Sequence, residues 1–124
     1  MGRLITFASS FTWANAGGNS DMVSIQPPSN YPGRLRKLVI GQSTEIAEAQ
    51  EEAFRFRLAR LGATFTVGSG GAAVTARAVK EAGSTTGAPT VRMNDTTIAT
   101  TSGTDETIDE YGWNLRATPL VLEW

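Results

Sequence analysis

The 124 residues give room for one domain with one core, and 40% hydrophobic against 19% charged residues is the balance of a folding chain rather than a disordered one. Lys+Arg of 11 against Asp+Glu of 12 leaves a formal charge of -1, so no long-range field draws the chain to nucleic acid or to an anionic membrane. Cysteine and histidine are both absent, which removes the thiolate, the commonest metal ligand and the commonest general base and argues against an enzyme.

No apolar run approaches the roughly 20 residues that span a bilayer, and the sequence is expected to have no membrane partner. Arg3, the stretch Leu4 to Trp13 and Ala14-Asn15-Ala16 imitate a signal peptide, but Thr6, Ser9, Ser10 and Thr12 make its centre too polar. Met1-Gly2 with Thr6 meets the loose myristoylation pattern, which arises often by chance.

Along the chain, Ile5, Phe7, Ser9 and Phe11 share one parity and predict a half-buried strand over Leu4 to Trp13. The turn-forming residues Asn15 to Asp21 end it. Met22 to Gln26 reads as a second strand stopped by Pro27-Pro28, and Leu35 to Ile40 as a third, ended at Gly41.

Between Glu45 and Leu61 two signals compete. Ala, Glu, Gln, Arg and Leu favour a helix capped by Ser43 or Thr44. Yet Phe54, Phe56 and Leu58 alternate with Arg55, Arg57 and Ala59 at the period of a strand. The expectation is a turn or short helix over Glu45 to Glu52 and a strand over Ala53 to Arg60. Farther on, Ala63 to Val67 and Val74 to Val79 are expected to be extended, with Gly68-Ser69-Gly70-Gly71 a loop between them and Glu81 to Pro89 a long surface loop. Thr90 to Asn94 and Thr96 to Thr100 read as a hairpin turning at Asn94-Asp95. Thr107 to Trp124 reads as one or two strands near Pro119.

Short strands separated by Gly, Pro, Asn and Ser clusters predict an all-β fold, a β-sandwich of jelly-roll type, with at most one short helix, in a single domain over residues 1–124. No internal repeat is visible.

Four constellations bear on possible chemistry. Gly68-Ser69-Gly70-Gly71-Ala72-Ala73 after Ala63 to Val67 fits a strand followed by G-x-G-x-x-A, the phosphate loop of a dinucleotide site. Glu81 follows too soon to meet the ribose and the chain is too short for two mononucleotide halves, so a flexible glycine loop is the better reading. Asp105, Glu106, Asp109 and Glu110 offer oxygen ligands for Ca²⁺ but lack EF-hand spacing, which favours a solvated strand edge. Nothing near Glu48, Glu51 and Glu52 would separate their pKa values for acid-base work. Arg55, Arg57 and Arg60 suit phosphate contacts or pairing with acidic neighbours across a sheet, and the near-neutral total favours pairing. The expectation is no catalysis, no cofactor, no metal, no nucleic acid and no small-molecule substrate.

The segments Gly41-Gln42-Ser43-Thr44-Glu45, Ala49-Gln50-Glu51-Glu52, Phe54-Arg55-Phe56-Arg57-Leu58 and Gly68-Ser69-Gly70-Gly71 resemble a family of small virion proteins of tailed phages. Asn94-Asp95-Thr96-Thr97, Ser102-Gly103-Thr104 and Trp113-Asn114-Leu115-Arg116 fall where that family has similar residues, so the similarity covers most of the chain from about Leu35 onward. The resemblance implies a jelly-roll subunit that decorates or cements the capsid surface, commonly as a homotrimer between capsomers, made in the bacterial host cytoplasm and bound to the major capsid protein. Relatives continue past the position of Trp124 with a proline-containing turn and another strand, so this chain is either a shortened version or part of the molecule.

Contacts between copies are expected to involve Trp113, Leu120, Leu122, Trp124, Arg55 and Arg57, and Leu120 to Trp124 are expected to be covered by a neighbouring subunit or by further chain. Two other readings stay open: a carbohydrate- or receptor-binding β-sandwich of a tail fibre, with tryptophans as sugar platforms, and a small α/β nucleotide-binding domain resting on the Gly68 loop.

Overall fold

A computed structural model describes residues 4–10, 19–41, 53–79, 88–114 and 119–124. Among these the chain is all-β: every regular element is a strand, every pairing is antiparallel, and no helix occurs. The strands are β1 (Ile5–Thr6), β2 (Asp21–Gln26), β3 (Lys37–Ile40), β4 (Ala53–Leu61), β5 (Phe65–Thr66), β6 (Ala72–Val74), β7 (Arg77–Ala78), β8 (Thr90–Asp95), β9 (Thr100–Thr101), β10 (Asp105–Asn114) and β11 (Leu120–Glu123). They fall into two compact units, one of Met1–Gly33 with Ala63–Ser102 and one of Arg34–Gly62 with Gly103–Trp124.

The first unit is organised by β8, which has β2 on one edge and β6 on the other. Val91, the second residue of β8, faces Ile25 across one ladder and Val74 across the other, and is 1% exposed. Apolar partners on both edges are what make a central strand a core. Pro27 ends β2, since proline donates nothing to a ladder. β5 and β9 pair as Phe65↔Thr101 and Thr66↔Thr100, and the isolated bridge Ser69↔Thr97 keeps that register. By Ala72↔Met93 the β8 side holds one extra residue. Asn94 absorbs it with φ 59°, a left-handed conformation asparagine tolerates better than most residues. β1 pairs with β7, and Val79 N–H donates to Leu4 O (3.0 Å).

The second unit holds two ribbons. β4 and β10 pair from Leu61↔Asp105 to Ala53↔Asn114, with a bulge at Ile108. The aromatic parity of β4 sets one face, where Phe56 packs against Trp113 (centroids 5.9 Å, 43°) and Trp113 is 8% exposed. β3 pairs with β11 from Ile40↔Leu120 to Lys37↔Glu123. Among the described residues the buried apolar side chains are Ala76, Val91 and Trp113, a thin interior.

Several expectations hold. β2, the break at Pro27-Pro28, β4 and the strands on either side of Pro119 lie where the sequence puts them. In β4 the strand period prevails over helix propensity.

Others need correction. No hairpin turns at Asn94-Asp95: β8 continues through both residues, its edges are taken by β2 and β6, and β9 pairs with β5. Within Leu4 to Ser10 the first strand covers only Ile5–Thr6, paired with the two residues of β7, and Phe7 to Ser10 are irregular, while Phe11 to Trp13 lie outside the described residues. The third begins at Lys37, matching its four-residue partner β11. Val74 to Val79 is split at Thr75 and Ala76, because its two ends pair with different strands. The helix or turn expected over Glu45 to Glu52 lies outside the described residues, as does most of the Glu81 to Pro89 loop.

Candidate subunit interface

Leu120-Val121-Leu122-Glu123 and Lys37-Leu38-Val39-Ile40 each alternate, and pairing them sorts the side chains onto two faces. Leu38, Ile40, Leu120 and Leu122 share one face and are half-buried. On the other, Val39 and Val121 stand directly opposite each other, 54% and 50% exposed. Beside them Lys37 Nζ lies 2.7 Å from Glu123 Oε1, which holds the Glu123 carboxyl below its usual range. Trp124 lies on the leucine side in strand alternation, is partly exposed, and donates its backbone N–H to Arg36 O (3.0 Å).

The other expected contact residues lie on the β4–β10 ribbon. Trp113 is turned to Phe56 of its own chain. Arg55 and Arg57 share one face and are exposed, Arg55 reaching Glu110 (2.7 Å) and Arg57 reaching Asp105 (3.0 Å). Arg60 lies on the opposite parity and meets its direct partner Glu106 (2.9 Å). Asp109 accepts from the Tyr111 hydroxyl (2.6 Å), which pushes the Tyr111 pKa up. The acidic cluster is therefore divided over both faces of β10 and engaged from within the chain. Exposed pairs of this kind contribute little, so Arg60→Ala is expected to change unfolding stability by less than about 0.5 kcal/mol in urea titrations.

The glycine loop lies closely against β8. Asp95, 1% exposed, accepts from Arg92 Nε (2.9 Å), from an Arg92 terminal nitrogen (2.8 Å) and from the Gly71 N–H (2.9 Å). The hydrogen bond from Arg92 is the main force holding the Asp95 pKa below its ordinary value, and burial opposes it. Gly68 and Gly71 press so closely on β8 and the residues after it that a Cβ on either would collide: at Gly68 with Thr97 O and the Asp95 carboxylate, at Gly71 with Met93 O and Asn94. Gly70 has φ 93°. The Gly71 amide, which a phosphate would need, is taken by the chain's own carboxylate, and strand β6 rather than a helix follows the loop. This removes the structural basis of the nucleotide-binding reading.

Val39, Val121, Lys37 and Glu123 are not recognisable as a set from the sequence. Each was visible as a strand residue, but their meeting depends on a register spanning some eighty residues, which no local pattern encodes. Comparison with protein-family models, with curated proteins and with solved structures finds no match for this chain.

Proposed function

We propose that this chain is a structural protein of a tailed-phage virion, a β-sandwich of jelly-roll type that decorates or cements the capsid surface through protein–protein contacts, as a homotrimer. The observation that carries the protein–protein part is the outward face of the β3–β11 ribbon, where Val39 and Val121 stand opposite each other and half in water. Burying apolar area yields about 25 cal/mol per Å², so covering Val39 and Val121 with a neighbour would add stability. The all-β architecture and the near-neutral charge agree with a packing module. The capsid as partner rests on the family resemblance of the segments from Gly41 to Arg116. A sugar-binding role would lean on tryptophan platforms, and the burial of Trp113 against Phe56 weighs against that tryptophan serving as one.

The test is co-sedimentation of the purified chain with capsids of the phage that encodes it, prepared without this protein. Saturable binding at a fixed ratio to the major capsid protein is expected. Absence of the chain from the capsid pellet at tens of micromolar would refute the proposal.

A further inference from the structure

We infer that copies of this chain join head to tail by strand addition, the outer edge of β11 in one copy pairing antiparallel with the outer edge of β3 in the next. This names the surface for the self-association proposed above, and it does not depend on the capsid being the partner.

The hydrogen bond from Trp124 N–H to Arg36 O fixes which residues of the ribbon bond to each other. In an antiparallel ladder hydrogen-bonded and non-hydrogen-bonded pairs alternate. If 36 and 124 bond, so do 38 with 122 and 40 with 120, while 39 with 121 and 37 with 123 do not. The backbone N–H and C=O groups of Val121 and Glu123 therefore point out of the β11 edge, and those of Lys37 and Val39 out of the β3 edge. Among the described residues no further strand pairs on either edge.

The two edges are complementary. Set antiparallel, Val121 meets Val39 of the next copy and Glu123 meets Lys37 of the next copy, each as a hydrogen-bonded pair. All four side chains stay on one face. A valine row and an alternating Lys–Glu row then run from copy to copy, continuing the 2.7 Å pair already present within the chain. Pairing β11 with β11 about a two-fold axis at Val121 would set Glu123 opposite Pro119 and leave both charges without a new partner. Charge complementarity thus selects the second copy, head to tail. A four-residue junction is small beside the roughly 1,200–2,000 Å² of a stable interface. Each copy supplies both edges, so closure into a ring lets every copy use two junctions at once.

The experiment is sedimentation velocity on the full chain at about 10–200 µM, the range in which weak contacts of this size are populated. The wild type is expected to form a closed oligomer of fixed mass. Val121→Pro removes an edge N–H that the ribbon itself does not use, and should weaken association at least about tenfold with an unchanged far-ultraviolet circular dichroism spectrum. Glu123→Lys and Lys37→Glu need no backbone change but also replace the pair within each chain by like charges; each should dissociate the oligomer, and an equimolar mixture should restore pairing between unlike copies, in even-numbered assemblies rather than the closed trimer. A monomeric wild type across the range, or variants that associate like the wild type, would overturn the inference. Loss of capsid binding by Val121→Pro with a monomeric wild type would instead make the capsid protein the occupant of this edge, and also overturns it. Wild-type self-association without capsid binding keeps the edge pairing and rejects the capsid role.

Discussion

Asp95→Asn is expected to destabilise the protein by about 3 kcal/mol in urea titrations at neutral pH. The carboxylate is 1% exposed and accepts two bonds from Arg92 and one from the Gly71 amide. Breaking a buried charged pair costs about 3–5 kcal/mol, and the Arg92 side chain, 21% exposed, can recover some hydration, which sets the lower end. The sign of the pH effect follows from the depressed pKa of Asp95. A carboxylate held below its unfolded value adds stability that is complete above that value, about 4, and lost as the pH falls through the folded value. Wild type and variant should therefore converge in acid. A gap that stays constant from neutral pH down to about pH 2 would show that the charge is not what stabilises this site.

Gly71→Ala should be nearly as costly, about 3 kcal/mol, for a steric reason alone. A Cβ there would sit on Met93 O and 2.6 Å from the Asn94 carbonyl carbon and oxygen. These are backbone atoms of β8, which is held from both edges by β2 and β6 and cannot withdraw without breaking ladders. Overpacking of this kind costs about 1–3 kcal/mol and sometimes more. Gly112→Ala is the control, since nothing lies within 4 Å of its would-be Cβ. It should change stability by no more than about 0.5 kcal/mol. Equal effects at the two glycines would contradict the close approach of the loop to β8.

What the sequence made legible was local. Alternation of Phe54, Phe56 and Leu58 with the arginines outweighed helix propensity, and Pro27-Pro28 and Pro119 marked strand limits, because each acts within a few residues. Pairing partners were not legible. Asn94-Asp95 has the composition of a hairpin turn, yet Asn94 uses its left-handed φ for a slip in the ladder. The same bend brings Arg92 and Asp95, which strict alternation would put on opposite faces, into contact. A signal was present: an acid and an arginine three apart in a segment otherwise rich in Val, Met and Thr ask for each other. The glycine run announced a loop and concealed its tightness, since the reason for its glycines is β8, some twenty residues later.

For the candidate interface, Leu120 and Leu122 were readable as one face of a strand, but what leaves the other face open is the matching of Val121 with Val39 and of Glu123 with Lys37. That matching comes from a long-range register that only the folded chain displays.

The most direct measurement of the proposed role is a cryo-electron microscopy difference map between capsids assembled with and without this chain. Added β-rich density is expected on the outer capsid surface at symmetry-related positions, with neighbouring copies joined through β3 and β11. Particles that contain the protein but show no added density on the capsid, or show it only on the tail, would contradict it.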